Sequence, residues 1–417
     1  MSEIITLSGG LRLAYQYIPH IRSVSLGVFV KIGSGNELAE DNGVAHFTEH
    51  VLFKGTEKRT AIDIVRDMYA LGANMNAYTS KEVTAFYFQC TDDVTEPCAE
   101  ILSDLLLHST FPASELDKER GVILEEIGMV ADTPDDLSQD LSAAAFWGEY
   151  PYGRTILGSA DNVRRFTSSD IHSFVAKHYV AGKVVVSIAG HISREEAIAL
   201  TEKYFRFPDR PVEDRTFTLP TRFGGRVSVE YKDIEQANLT FAFPSVSSVD
   251  DRASATSVLS VALGGGMSSL LFQEIRERLG LVYSVYDYPS LYERAGAHSI
   301  YLGTNPKNLS KAVRAMKKCL ADFREKGLDE ETMHRAKMQV KTSLILGSES
   351  SMAIMRLQGR MAIIMDRAFD LDERVAEIDR MTIDDVNAMI RTIFSSRQIG
   401  VGYVGIDTGF DLSEIYE

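Results

Sequence analysis

The stretch of sequence that decides the fold is 42–55, NGVAHFTEHVLFKG, in which two histidines and a glutamate recur at helical spacing. The pattern predicts a helix over about 42–53. Residues i and i+4 of a helix lie on one face, so His46 and His50 would point the same way. Two imidazoles at this spacing can hold one zinc ion.

Glu49 lies at the edge of the same helical face, three residues after His46 and next to His50. A carboxylate there can reach a water on the metal without binding the metal itself, which is the arrangement of a general base. The order H-x-x-E-H is the inverse of the H-E-x-x-H motif of many zinc peptidases. On these five residues alone, a chance match in an unrelated helix stays open as an alternative.

A second helix, predicted over 114–130, offers the third ligand. Glu119, Val122, Ile123 and Glu126 fall on one stripe of it, and half of that stripe is apolar. Two carboxylates on a core-facing stripe are costly to bury unless a cation lies beside them. Glu125 lies one position before Glu126, about 100° around the helix, and can reach solvent. Glu126 is therefore the better ligand, and Glu119 is the better partner for a ligand histidine. A solvated acidic face is the alternative.

Strand and helix patterns occur in the same order in both halves of the chain. Residues 22–32 alternate between apolar and small side chains, and 83–90 is rich in β-branched and aromatic residues. In the second half, 238–243 is strand-like, 268–278 has a helical pattern, and a run of long helices begins near 307. Strands, then helices, then a strand, twice over, predict two α+β units of one plan.

The division between the two units is expected near a polar, proline-punctuated segment, FPDRPVED at 207–214. A chain of 417 residues suits two domains of about 200 residues each. We therefore expect a zinc-binding catalytic domain at 1–210, a linker at 211–225 and a homologous domain without the motif at 226–417.

Composition excludes several classes of protein. The net charge of −15 argues against nucleic acid as a partner, because phosphate binding needs a basic face, and permits long-range attraction of basic peptides. No run approaches the roughly 18 apolar residues that span a bilayer, and the N-terminus resembles no leader, so a cytoplasmic protein without membrane contact is expected. Three sparse cysteines, Cys90, Cys98 and Cys319, form no disulfide framework.

The motif and its surroundings resemble the pitrilysin-like family of zinc peptidases. Residues 33–37, GSGNE, together with 42–50 are similar to the family's active-site signature. The family's third ligand follows the second histidine by 76 residues, which is the position of Glu126, and an additional family glutamate seven residues earlier falls on Glu119. The resemblance implies zinc ligation by His46, His50 and Glu126, one ion per chain, and the general base Glu49.

Two further segments resemble parts of the family that bind substrate. Residues 71–79, LGANMNAYT, are similar to its G-G-x-x-N-A-x-T stretch, which implies that Asn76 and Ala77 hold the substrate backbone. Without the resemblance, Asn76 would be an ordinary turn residue. The strand at 83–90 would then be the edge to which an extended peptide adds as another strand.

In the second half, 275–285, IRERLGLVYSV, resembles the family's R-x-x-x-x-x-x-Y segment. The resemblance implies that Arg276 and Tyr283 contact the substrate and the developing oxyanion. Arg278 competes with Arg276 and is better interpreted as a surface charge.

Taken together, the resemblance implies an α+β protein of two homologous domains, each an antiparallel-rich sheet packed with helices, as in LuxS-like and processing-peptidase-like metalloenzymes. It implies a zinc metalloendopeptidase that hydrolyses extended peptides or unfolded polypeptides, and a homodimer. The N-terminal sequence gives the prokaryotic cytoplasm as the expected location. A catalytically silent or partner-dependent subunit of a processing-peptidase-like complex is the alternative, and a zinc hydrolase of non-peptide substrates is a second one.

Overall fold

The computed structural model describes residues 2–212, 216–412 and 414 of the chain. In these residues, strands form at Glu3–Thr6 (β1), Arg12–Tyr17 (β2), Ser23–Val30 (β3), Asn74–Thr79 (β4), Thr84–Thr91 (β5), Val184–Gly190 (β6), Arg226–Tyr231 (β7), Ala237–Ser245 (β8), Val282–Leu291 (β9), Gly296–Thr304 (β10) and Gly400–Gly405 (β11). None of the helices in this part of the chain has the length and apolar content required to cross a membrane.

The helices are Val44–Leu52 (α1), Ala61–Ala70 (α2), Thr95–His108 (α3), Ala113–Asp132 (α4), Pro134–Trp147 (α5), Ala160–Arg165 (α6), Ser168–His178 (α7), Arg194–Tyr204 (α8), Ala253–Leu263 (α9), Leu309–Lys326 (α10), Glu330–Leu346 (α11), Ser351–Met365 (α12), Leu371–Arg380 (α13) and Ile383–Phe394 (α14). A π-helix spans Phe272–Arg278.

The first compact unit comprises Met1–Ile127, Thr155–Thr216 and Ile345–Leu371. Its six-stranded sheet has the order β1-β2-β6-β3-β5-β4, in which only β2 and β6 pair in parallel. One face is buried by α1, α3, α7 and α8, and the other by α12. The second face is closely packed, since a Cβ atom on Gly359 of α12 would lie 2.3 Å from the Phe29 ring of β3.

The second unit comprises Gly128–Arg154, Phe217–Leu344 and Asp372–Glu417. Its five-stranded sheet has the order β7-β11-β8-β10-β9, with β7 and β11 parallel and the other pairs antiparallel. Helices α9, α10 and α14 bury one face, and α5 packs on β11 and β8. The strand order matches the order β2-β6-β3-β5-β4 of the first sheet. The predicted α+β fold with two units of one plan is therefore confirmed.

Each unit takes one helix from the other half of the sequence: α12 joins the first sheet, and α5 joins the second. The continuous ranges 1–210 and 226–417 therefore do not coincide with the compact units, because this exchange of helices leaves no mark on local sequence patterns. Residues 213–215 of the predicted linker 211–225 lie outside the described residues, and the linker stays a prediction.

Three local predictions differ from the structure. The peptide-binding edge expected at 83–90 is wrong, because that strand, β5, lies between β3 and β4, and the edge is β4. The helix expected at 268–278 is a π-helix over its last seven residues, a distinction that apolar periodicity does not make. Val122, placed on a core-facing stripe, is 45% exposed.

Candidate metal centre

Helix α1 carries both histidines, and a buried carboxylate holds its N-terminus. Glu37 Oε2 accepts hydrogen bonds from Gly43 N at 2.8 Å and Asn42 Nδ2 at 3.0 Å, and Oε1 accepts one from Ala45 N at 2.7 Å. Burial raises the pKa of Glu37, and the backbone donors lower it. A carboxylate at this end of a helix satisfies free amides and complements the helix dipole. Sequence reasoning missed this role, which an acidic residue shortly before a helix could have suggested.

The loop before α1 packs against the turn that joins β4 to β5. Ser34 N donates to Ser80 O at 3.1 Å, and Gly35 N donates to Lys81 O at 2.7 Å. A Cβ atom at Gly33 would lie 2.3 Å from Ser80 O, so only glycine allows this approach of the two backbones. The GSGNE segment thereby fixes α1 beside the end of β4.

Three side chains from α1 and α4 converge. The distance from Glu126 Oε2 is 3.7 Å to His46 Nε2 and 3.6 Å to His50 Nε2, and the three donor atoms all lie within 4.8 Å of one another. These distances are too long for hydrogen bonds. Ligand atoms at zinc–ligand bond lengths in a tetrahedral site are separated by about 3.4 Å, close to the observed spacing. The donor set therefore fits a zinc ion.

The protonation state of His46 suits metal binding. Burial, with a smaller contribution from the charge of His50, lowers the pKa of His46 to about 4. His46 is therefore neutral at pH 7, which is the form that coordinates a metal.

Glu119 lies behind His50. Its side chain is 9% exposed; Oε2 lies 3.1 Å from His50 Nδ1 and Oε1 lies 2.7 Å from Lys54 Nζ. A carboxylate at Nδ1 favours the tautomer that leaves Nε2 with a lone pair for the metal. Lys54 balances the charge of Glu119 and was not anticipated, although it follows His50 by four residues.

Glu49 is held by a hydroxyl from the edge strand. Thr79 Oγ1 donates to Glu49 Oε2 at 2.5 Å, and the other carboxylate oxygen has no hydrogen-bond partner among the described residues. Burial raises the pKa of Glu49, the Thr79 hydrogen bond and the charge of His50 lower it, and the charge of Glu126 raises it. Thr79 lies in the same stretch, 71–79, as Asn76 and Ala77, but the family resemblance assigns it no role.

Asn76 and Ala77 lie in β4, the edge strand, so Asn76 is no turn residue. Ala77 is paired with Phe86 and is half-buried towards the core on the α1 side. Asn76 is exposed, and its Oδ1 accepts the amide of Ala77 at 2.8 Å.

Arg276 and Tyr283 belong to the second unit. Arg276 lies on the π-helix with its guanidinium carbon 4.8 Å from the centre of the Phe272 ring, and Tyr283 is the second residue of β9, with 60% of its surface exposed. Arg278 pairs with Glu274 on the surface at 2.5 Å. The substrate contacts of Arg276 and Tyr283 stay a prediction.

Two family profiles match the chain. The profile described as insulinase (peptidase family M16) covers residues 12–160, and that described as peptidase M16 inactive domain covers 165–340. The first range contains His46, His50 and Glu126.

Relatives align with almost the whole sequence. An uncharacterized zinc protease of Streptomyces coelicolor is 36% identical over 94% of this chain and 87% of its own length. The uncharacterized zinc protease YmxG of Bacillus subtilis is 34% identical over 95% of this chain and 96% of its own.

Solved structures share the fold. A peptidase M16 inactive domain from Pseudomonas fluorescens superposes with a TM-score of 0.91 at 21% identity, covering 97% of this chain and 98% of its own. A protease from Helicobacter pylori gives 0.89 at 21% identity, with 97% and 99% covered. A chain of complex III2 from Candida albicans gives 0.85 at 19% identity, with 99% and 98% covered. These likenesses show the fold alone, whereas the profiles and the relatives confirm the family expected from the motif: the chain belongs to peptidase family M16, as a member of the zinc-protease type.

Proposed function

We propose that this protein is a zinc metalloendopeptidase that binds one zinc ion per chain and cleaves peptides or unfolded polypeptides in extended conformation. The observation that carries the proposal is the triangle of His46 Nε2, His50 Nε2 and Glu126 Oε2, with Glu49 on the same helix as the two histidines. Three protein ligands are the set found in catalytic zinc sites, whereas structural zinc sites have four.

His46, His50 and Glu126 would hold the zinc ion, which would supply a Lewis acid and lower the pKa of a water molecule towards about 7. Glu49 accepts the proton of that water and later donates it to the leaving amine of the substrate. Because Thr79 occupies Oε2 of Glu49, the proton is accepted at Oε1. Glu119 keeps the His50 ring oriented through Nδ1.

The substrate is proposed to pair with the free edge of β4, where backbone hydrogen bonds bind any extended peptide and neighbouring side chains give specificity. This edge favours a peptide over a small non-peptide substrate. Contacts from Arg276 and Tyr283 belong to the proposal on the basis of their motif spacing alone.

The test compares the wild type with Glu49→Gln, measuring zinc content and the cleavage of unstructured basic and neutral peptides. We expect one zinc per chain in both proteins, and chelator-sensitive cleavage in the wild type only. Zinc in both proteins without cleavage by the wild type would favour a partner-dependent subunit. Absence of zinc would refute the ligand assignment.

A homodimer and a cytoplasmic location complete the proposal. Light scattering of the purified chain tests the first, and fractionation of the source cells tests the second. A monomer at working concentration, or recovery outside the cytoplasm, would overturn the respective statement.

A further inference from the structure

The edge strand β4 presents two different faces to a peptide that pairs with it. Asn76 and Tyr78 lie opposite Tyr87 and Ala85 of β5, on the face that α12 covers. Ala77 and Thr79 lie on the opposite face, where Thr79 reaches the general base. Side chains of an added strand would alternate between these two faces.

Two arginines of α12 flank the first of these faces. Arg356 and Arg360 are one helical turn apart and exposed. The guanidinium carbon of Arg356 lies 4.5 Å from the centre of the Tyr87 ring, a guanidinium nitrogen donates to the Tyr87 hydroxyl, and this ring lies 6.3 Å from that of Tyr78. Burial raises the pKa of Tyr78, while the charges of Arg360 and then Arg356 lower it. Both cations are therefore near the edge strand.

Neither guanidinium has a carboxylate partner within 4.0 Å among the described residues. This is notable in a chain with a net charge of −15, in which Arg22 and Arg66 on the same unit both form ion pairs. Arg356 uses a single donor on Tyr87, so most of its five donors stay available.

We propose that Arg356 and Arg360 select acidic side chains at alternate positions of an extended peptide bound along β4. The inference rests on the proposed function and names the substrate chemistry of the same site. A carboxylate on the α12 side can form a charge-assisted hydrogen bond with either guanidinium, whereas one on the α1 side cannot reach them. The net negative charge repels acidic peptides at long range, so the preference is positional and does not extend to acidic peptides in general.

The probe is an unstructured fluorogenic peptide in which a single glutamate replaces glutamine at each position in turn. The value of kcat/KM for wild type, and Kd for the inactive Glu49→Gln protein, are measured for every peptide. At every second position near the cleavage site, we expect glutamate to raise kcat/KM and to lower Kd about twofold to fivefold, which is the size of effect that an exposed ion pair gives.

The variants are Arg360→Gln alone and Arg356→Gln/Arg360→Gln, with Arg206→Gln/Arg210→Gln as the control. The control removes the same charge from exposed positions of the same unit. The single variant leaves the Arg356–Tyr87 contact in place, which guards against misfolding. We expect the alternation to weaken in the single variant, to vanish in the double variant and to persist in the control.

Equal affinity for glutamate and glutamine at all positions would overturn the inference, as would an alternation that survives the loss of both arginines. The all-glutamine peptide reports the proposed function separately, because its cleavage requires neither arginine. The Kd values of the Glu49→Gln protein test the inference independently of cleavage. They do so even if the wild type binds zinc and cleaves none of the peptides.

Discussion

Replacing Thr79 by valine tests whether one hydroxyl positions the general base. Valine keeps the β-branched shape and the backbone of β4, so the strand and its edge are retained. The change removes the hydrogen bond that Thr79 Oγ1 donates to Glu49 Oε2 at 2.5 Å. Glu49 then loses its fixed orientation relative to the reacting water.

The expected size follows from the bond that is lost. A hydrogen bond to a charged group contributes about 1.5–3 kcal/mol, and about 1.36 kcal/mol corresponds to a factor of ten in rate. Full loss in the transition state would slow the reaction about 10- to 150-fold. We expect kcat to fall about 10- to 100-fold with KM and zinc content nearly unchanged, because neither β4 pairing nor the metal ligands are altered.

Steady-state kinetics on one peptide, with zinc content measured on the same samples, provides the assay. Thr79→Ser keeps the hydroxyl and should recover most of the activity. In a Glu49→Gln background, Thr79→Val should cause no further loss, because the two residues would act as a unit. Wild-type kcat in Thr79→Val, or a Thr79→Ser protein as slow as Thr79→Val, would refute this positioning role.

Three further perturbations address the scaffold of the site. Glu37→Ala leaves the backbone amides of Gly43 and Ala45 at the start of α1 without an acceptor and should lower the free energy of unfolding by about 3 kcal/mol. Urea denaturation measures this change, and an unchanged midpoint would contradict the capping role. Glu119→Gln should weaken zinc affinity about 10- to 100-fold in chelator competition, and equal affinity would show that His50 needs no orienting carboxylate. Gly359→Ala should lower the free energy of unfolding by about 1–3 kcal/mol, because the added methyl group would overpack the contact with the sheet. Gly121→Ala lies on an open helix surface and should raise the free energy of unfolding by up to about 1 kcal/mol. Equal effects of the two variants in thermal melts would disprove the close packing of α12.

The zinc ligands could be predicted because their signal is local or fixed by spacing. His46, Glu49 and His50 lie within two turns of one helix, and helical periodicity alone brings them to one side. Glu126 required a second helix at a known separation, which the family resemblance provided. The two-unit plan could also be predicted, because each strand and helix has a local pattern and the order of these patterns repeats along the chain.

The remaining features depend on contacts that no local pattern records. Strand β4 has the polar sequence NMNAYT, which resembles a loop, and it is ordered by pairing with β5. The cap supplied by Glu37 and the bond from Thr79 to Glu49 join segments that meet only after folding. Arg356 and Arg360 lie near β4 and β5 although they are more than 250 residues away from these strands in sequence, so local sequence patterns cannot place them at a peptide-binding edge.

The exchange of helices sets an order of events during synthesis. The Gln358 side chain donates to Ala14 O at 3.2 Å, across 344 residues, and Ser187 Oγ donates to Met355 O at 2.7 Å. The strands of the first sheet are complete at Gly190, but the helix that covers their second face ends at Met365. At about 5–20 residues per second, roughly 9–35 s of translation separate the two. A sheet that forms within this interval has no α12 on its second face, so apolar side chains of that face such as Phe29 and Val185 would be exposed. A chain truncated within this stretch would lack α12 and keep this apolar face uncovered, which would make it a target for chaperones and proteases, and a gene for the first half alone would encode no self-sufficient domain.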